Sequence, residues 1–201
     1  MRKVLIATHN KGKFPEIIDT LKDLPFEFIN LNDIPGFPPG YEVEEPGKTF
    51  EGNAVIKAMT LGKKTGLLTL AEDAGLEVDA LGGRPGVYTA RYAPGTDEDR
   101  YLKLLQELEG VSEDKRTARF RAVVVIYDPE SDKVRTAEGV YEGVIAPAPI
   151  GENGFGYDPV FYNQALGKTN AQMTREEKNE VSHRGQALRK AREILMSDFT
   201  Q

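Results

Sequence analysis

Cysteine is absent from the 201 residues, which excludes disulfides, thiolate chemistry and cysteine-based zinc sites. Histidine is scarce: His9 and His183 stand far apart, so a multi-histidine metal site within one chain is excluded too. Any metal must be held by carboxylates and other oxygen donors, which favours Mg²⁺ or Mn²⁺. No apolar run approaches the roughly 20 residues that a membrane span needs; the longest is Ala122 to Tyr127. The N-terminal stretch Val4 to Ala7 is shorter than a signal-peptide core and reads as a strand, so the expected location is the cytoplasm. Positive charge is in deficit, with a net charge of −6. That argues against a general nucleic-acid surface, but a local basic pocket for a small anion is compatible with it.

What is present reads as one α/β domain over residues 1–201. Apolar residues make up 39% of the chain, enough for a core. After the strand at Val4 to Ala7, the residues Phe14, Ile17, Ile18, Leu21 and Leu24 follow at helical spacing, and Phe26 to Leu31 reads as a second strand. Pro35, Pro38, Pro39 and Pro46, with Pro25 just upstream, mark a loop over residues 33–48. Thr49 has the chemistry of an N-cap for a helix whose stripe is Phe50, Ala54, Ala58 and Leu61. Leu67 to Ala71 reads as a strand ending at Glu72-Asp73. Thr96 opens a helix with three acids at its positive end. Arg119 to Tyr127 and Val134 to Val140 read as a hairpin, residues 151–157 as a glycine-rich loop, and Thr174 with Glu177 as a capping box before the last helices. Early alternation of strands and helices with a later hairpin implies a mixed sheet.

Five constellations carry chemistry. Thr8-His9-Asn10-Lys11-Gly12-Lys13 lies between a strand and a helix, where backbone N–H groups and lysines suit a phosphate; a solvated helix-start loop has the same composition. Glu72-Asp73 suits a hard cation or a general base, or is an ordinary acidic turn. Thr49, Asn53 and Lys57 recur every four residues and share a helical face, preceded by Glu42, Glu44 and Glu45 in the loop; a solvated face reads alike. In Gly154-Phe155-Gly156-Tyr157-Asp158-Pro159 the glycines permit close approach and Phe155 has a ring to stack on a base, or it plugs the core. Lys178 lies one helical turn before Ser182-His183-Arg184-Gly185, where His183 is equally a helix-start residue.

Taken in order, these blocks resemble the inosine triphosphate pyrophosphatase family. The match adds Thr49 to Ala54 with Lys57-Ala58, Glu72 through Leu81, Pro85 to Tyr92, and Thr174 through Gly185, and runs nearly end to end. The resemblance implies hydrolysis of non-standard purine nucleoside triphosphates (ITP, dITP, XTP) to monophosphate and pyrophosphate, keeping them out of DNA and RNA. It implies an elongated two-lobed α/β fold with a mixed central sheet flanked by helices, a cleft between the lobes, a homodimer, and Mg²⁺ or Mn²⁺ as cofactor. By position Asp73 is the proton acceptor and a metal ligand, with Glu72 and Glu45 as further ligands. Residues Thr8, His9, Asn10, Lys11, Gly12 and Lys13 form the phosphate turn. Lys57, Ala74, Phe155, Gly156, Tyr157, Asp158, Lys178, His183 and Arg184 complete substrate binding. Many members carry serine where this chain has Ala74, and a smaller or amide residue where it has His9. Two other readings fit the same residues: a pyrophosphatase for other modified nucleotides, and a nucleotide-binding regulator without turnover.

Overall fold

The computed structural model describes residues 1–10, 12–38 and 40–200. Among them the early apolar runs become parallel strands, because the helices between them return the chain to the same end of the sheet. Strand β1 (Arg2–Ile6) leads through α1 (Lys13–Leu21) to β2 (Phe26–Asn30). The proline-marked loop then leads to α2 (Phe50–Thr65) and β3 (Leu68–Val78). Strand β1 pairs in parallel with β2, from Arg2 opposite Phe26 to Ile6 opposite Asn30, and with β3, from Val4 opposite Leu68 to Ile6 opposite Leu70. After α3 (Asp97–Glu107) come β4 (Thr117–Asp128) and β5 (Lys133–Ile145). They are sheet neighbours, joined by a short turn in which Asp132 takes a φ of 52°. Strands β6 (Phe161–Asn163) and β7 (Lys168–Thr169) add antiparallel pairs. Helices α4 (Arg175–Val181) and α5 (His183–Asp198) close the chain. The result is an α/β fold on a mixed sheet of order β2-β1-β3-β4-β5-β6-β7.

The chain divides into two compact units. The first comprises Met1–Asp73, Ala122–Gly139 and Arg184–Gln201. Its core holds Val4, Leu5 and Ile6 of β1, Ile17 and Leu21 of α1, Ala54, Ala58 and Leu61 of α2, and Leu188 and Leu195 of α5, all buried. Burying each large side chain contributes about 1.5–3 kcal/mol. Helix α2 forms where expected: Thr49 Oγ1 accepts from the Gly52 N–H at 3.0 Å, satisfying an otherwise orphan donor. It stops at Gly66, which takes a left-handed φ of 70° that a side chain would resist.

The second unit comprises Ala74–Arg121 and Val140–His183. Its core gathers Leu76, Val78, Leu104, Leu108, Phe120, Tyr141, Val160 and Phe161. Tyr92 is buried against this cluster; its hydroxyl donates to Glu107 Oε2 at 2.7 Å. Burial first, then the Glu107 carboxylate, push the phenol up from 10.0 to about 12. A raised folded-state value means a contribution to stability that is complete below pH 10 and lost as pH rises through 12. Tyr92→Phe forgoes the Glu107 bond, so its Tm lies below wild type at neutral pH. That gap is expected to narrow between pH 10 and pH 12 in thermal melts; a constant gap would contradict the assignment.

One expectation needs correction. Strand β3 does not end at Glu72-Asp73 but continues to Val78. What ends there is the parallel pairing: β1 stops at Ile6, and Ala7 N–H donates to Leu70 O at 2.8 Å as the chain turns away. The two carboxylates therefore follow the carboxyl end of the parallel pair, where ligands gather in such sheets. Strands β6 and β7 carry too few residues to show a period.

Candidate active site

The turn after β1 is built on side chains. Thr8 Oγ1 accepts from the Asn10 N–H at 3.1 Å, and Asn10 Oδ1 accepts from the N–H groups of Gly12 at 2.8 Å and Lys13 at 3.1 Å. Asn10 thus satisfies two donors at the start of α1, and the turn offers the Lys13 ammonium more readily than bare N–H groups. His9 is exposed, and its Nε2 lies 2.9 Å from Tyr41 O. A carbonyl only accepts, so Nε2 carries the proton there; His9 ties the turn to the proline loop. Lys11, like Pro39 and Gln201, lies outside the described residues.

Beside this turn the first unit assembles a cluster of opposite charges. Asp73 is half-buried and accepts from Asn53 Nδ2 at 3.0 Å. Burial raises its carboxyl above the ordinary aspartate value, and Lys13, Asn53 and Lys57 only partly offset this. Lys13 Nζ stands 3.8 Å from Glu72 Oε1. Burial lowers its ammonium, with Glu72 opposing and Arg184 and Lys57 adding. Lys57 Nζ pairs with Glu45 Oε1 at 2.5 Å and donates to Glu72 O at 3.3 Å. Of the adjacent loop glutamates, Glu45 reaches the cluster, whereas Glu44 is exposed. Asn53 and Lys57, one turn apart on α2, thus both face this end of β3, as their spacing predicts.

Glu72 departs from the metal-ligand expectation. Its side chain is only 1% exposed, and Arg184 takes both oxygens, Nε to Oε2 at 2.8 Å and Nη2 to Oε1 at 3.0 Å. A cation would have to displace this bidentate pair, the strongest kind of carboxylate hydrogen bonding. Arg184 itself is buried, and its Nη1 also bonds Glu16 Oε2. At least three of its five N–H donors therefore serve carboxylates of its own unit, which limits its part in base reading. Sequence reasoning passed over Glu16. The available signal was a charged residue beside Ile17 and Ile18 on the helix's apolar side. Among the described residues, no group of three or more histidine, aspartate and glutamate side chains is arranged to hold a metal ion.

The second unit collects the remaining residues. Asp158 is buried and accepts from Lys178 Nζ at 2.7 Å, from the Phe155 N–H at 2.8 Å and from Asn170 Nδ2 at 3.2 Å. Gly154 makes room for it: the φ is 79°, and a Cβ would meet Asp158 Oδ2 at 2.1 Å. Lys178 Nζ also lies 4.7 Å from the centre of the Phe155 ring. The Gly156 N–H donates to Asp97 Oδ2 at 2.7 Å. Tyr157 is buried and its hydroxyl donates to Thr89 O at 2.9 Å; it braces the loop. His183 is buried and stacks on Phe120, with centroids 4.7 Å apart and planes 10° from parallel. Ala74 follows Asp73 on β3.

The chain is similar to known proteins over nearly its whole length. A dITP/XTP pyrophosphatase of Desulforamulus reducens is 50% identical over 195 residues, covering 96% of this chain and 95% of that protein. One of Geobacter sulfurreducens is 50% identical over 190 residues, covering 94% of each. The solved structure of a HAM1 protein from Coxiella burnetii superposes with a TM-score of 0.88 at 40% identity, covering 98% of this chain and 99% of that one. The family model described as the Ham1 family matches residues 4–194. On this match and these identities, the chain belongs to the Ham1 family.

Proposed function

We propose that this chain is a nucleoside-triphosphate pyrophosphatase acting on dITP, XTP and ITP, and that its two units work as one catalytic domain. The observation that carries the reading is Asp73, a carboxylate made more basic by burial and set among Lys13, Lys57, Glu45 and Asn53. Phosphate binding alone needs the lysines but not the acids, which disfavours a regulator without turnover. In this reading Asp73 accepts a proton from water as its oxygen attacks the α-phosphorus, the bond to the β-phosphoryl oxygen breaks, and pyrophosphate leaves. Lys13 and Lys57 stabilise the charge that builds on the phosphate oxygens.

The donor set fits a divalent cation. Glu16, Glu45, Glu72 and Asp73 face Arg184, Lys13 and Lys57, four acidic side chains against three basic ones before a polyanion arrives. Asn53 Oδ1 is buried without a hydrogen-bond partner in the structure. Mg²⁺ is commonly held by one or two carboxylates plus substrate phosphates, so Asp73 and Glu45 suffice from the protein. When bound, the ion supplies charge neutralisation and orients the phosphates. Phe155, steadied through Asp158 and Lys178, offers a ring for base stacking.

Assembly as a homodimer and a cytoplasmic location belong to the same reading. The homodimer is supported by the family resemblance, and the location by the short, strand-forming apolar stretch at the N-terminus. No helix among the described residues is long and apolar enough to cross a membrane.

The decisive experiment measures pyrophosphate release from dITP, XTP, ITP, ATP and modified pyrimidine triphosphates, with and without Mg²⁺. Release from the first three that needs the cation and exceeds that from ATP by at least about 10²-fold is the expected result. Equal rates on ATP would refute the selectivity, and no release from any would leave only binding.

A further inference from the structure

We propose that Glu16 is a positioning residue for this reaction: through Arg184 and Glu72 it sets the first turn of α1, and so the placement of Lys13. The inference rests on the assignment of Lys13 to the phosphates. Lys13 and Glu16 are three residues apart on α1 and so lie on one helical face. Glu16 is 5% exposed and bonds Arg184 Nη1. Arg184, near the start of α5, clasps both oxygens of Glu72 on β3. Three elements of the first unit are thereby tied through one guanidinium.

The choice of charged groups is informative. Burying ions costs several kcal/mol each, and an apolar cluster of similar volume holds a fold at least as well. Apolar contacts, however, tolerate sliding and rotation, whereas a bidentate fork has one geometry. Lys13 gains little restraint from Glu72 itself, since 3.8 Å is too long for a hydrogen bond. Its position is inherited from the helix turn that Glu16 anchors. Misplacing a catalytic group by an ångström can cost about 10²-fold in rate.

The test is a double-mutant cycle in the full chain with Mg²⁺ and dITP, at a temperature where each variant is folded. Glu16→Ala is expected to lower kcat about tenfold or more with KM within about threefold. Lys13→Ala is expected to lower kcat as well, and the double variant to be no slower than Lys13→Ala alone, because both act through one side chain. If the double variant shows the product of the two losses, the inference falls while the Lys13 assignment stands. If Lys13→Ala turns over at the wild-type rate, both fall. A Glu16→Ala protein with lower Tm but unchanged kcat per folded molecule would make Glu16 merely structural and overturn the inference. Should Glu16→Ala not fold, Glu16→Asp, which keeps the charge but shortens the reach, takes its place with the same expectations.

Discussion

Replacing Asp73 with asparagine lowers kcat for dITP by about 10²–10⁴-fold, the usual worth of a positioned general base, and leaves the protein as stable or more so. The two halves of this result have one cause. Asparagine keeps the shape and can still bond Asn53, but it neither accepts a proton nor offers a cation a charge. Burial raises the Asp73 carboxyl above its unfolded value, with Lys13, Asn53 and Lys57 unable to cancel the effect. A carboxyl raised by folding favours the folded state below its unfolded value and loses that benefit as pH rises through the folded value. Once pH has passed the folded value the benefit is gone, and there the neutral amide removes a penalty. Activity bought with such strain is a common trade. Steady-state kinetics with thermal melts at pH 7 reads both quantities. Turnover within threefold of wild type would remove Asp73 from the mechanism, and a large fall in Tm would assign it to the fold.

How far the sequence alone reaches depends on how local each cause is. Helices α2 and α3 were legible because their signals are local: Thr49 and Thr96 cap them with their own side chains, and an apolar stripe follows each. The capping box of Thr174 and Glu177 formed for the same reason. The extent of β3 was illegible. The apolar run stops at Glu72-Asp73, yet β3 continues through Ala74 and Gly75, because strand extent follows from sheet partners and is not a local property. The site divides the same way. Motif order brought out Asp73, Lys13, Lys57 and Glu45, whose convergence the structure records. The roles of Glu72 and Arg184 depended on Glu16, 168 positions from Arg184 in the chain, a contact that neither periodicity nor composition encodes. Asn10 and His9 were legible as polar turn residues, but not that their hydrogen bonds would be spent on the turn itself and on Tyr41.

Arg184→Met is the substitution expected to destabilise the protein most. It leaves Glu16 and Glu72, 5% and 4% exposed, as neighbouring buried carboxylates without their cation. Burial alone would lower the Arg184 guanidinium, yet the charges of Glu72 and Glu16 outweigh it and raise the group further, which shows how strongly the three depend on one another. Removing one partner of such a cluster costs about 3–5 kcal/mol. For a chain of this length that corresponds to a fall in Tm on the order of 10 °C. The loss should come from stranded charge and not from lost volume. Combining Arg184→Met with Glu16→Gln and Glu72→Gln is therefore expected to recover most of the stability, since no stranded carboxylate remains at either position, while turnover stays low because nothing sets Lys13. Differential scanning calorimetry of the single and triple variants decides the matter. A triple variant as unstable as the single one would mean that Arg184 holds the fold by packing, and its charge would then be incidental to stability.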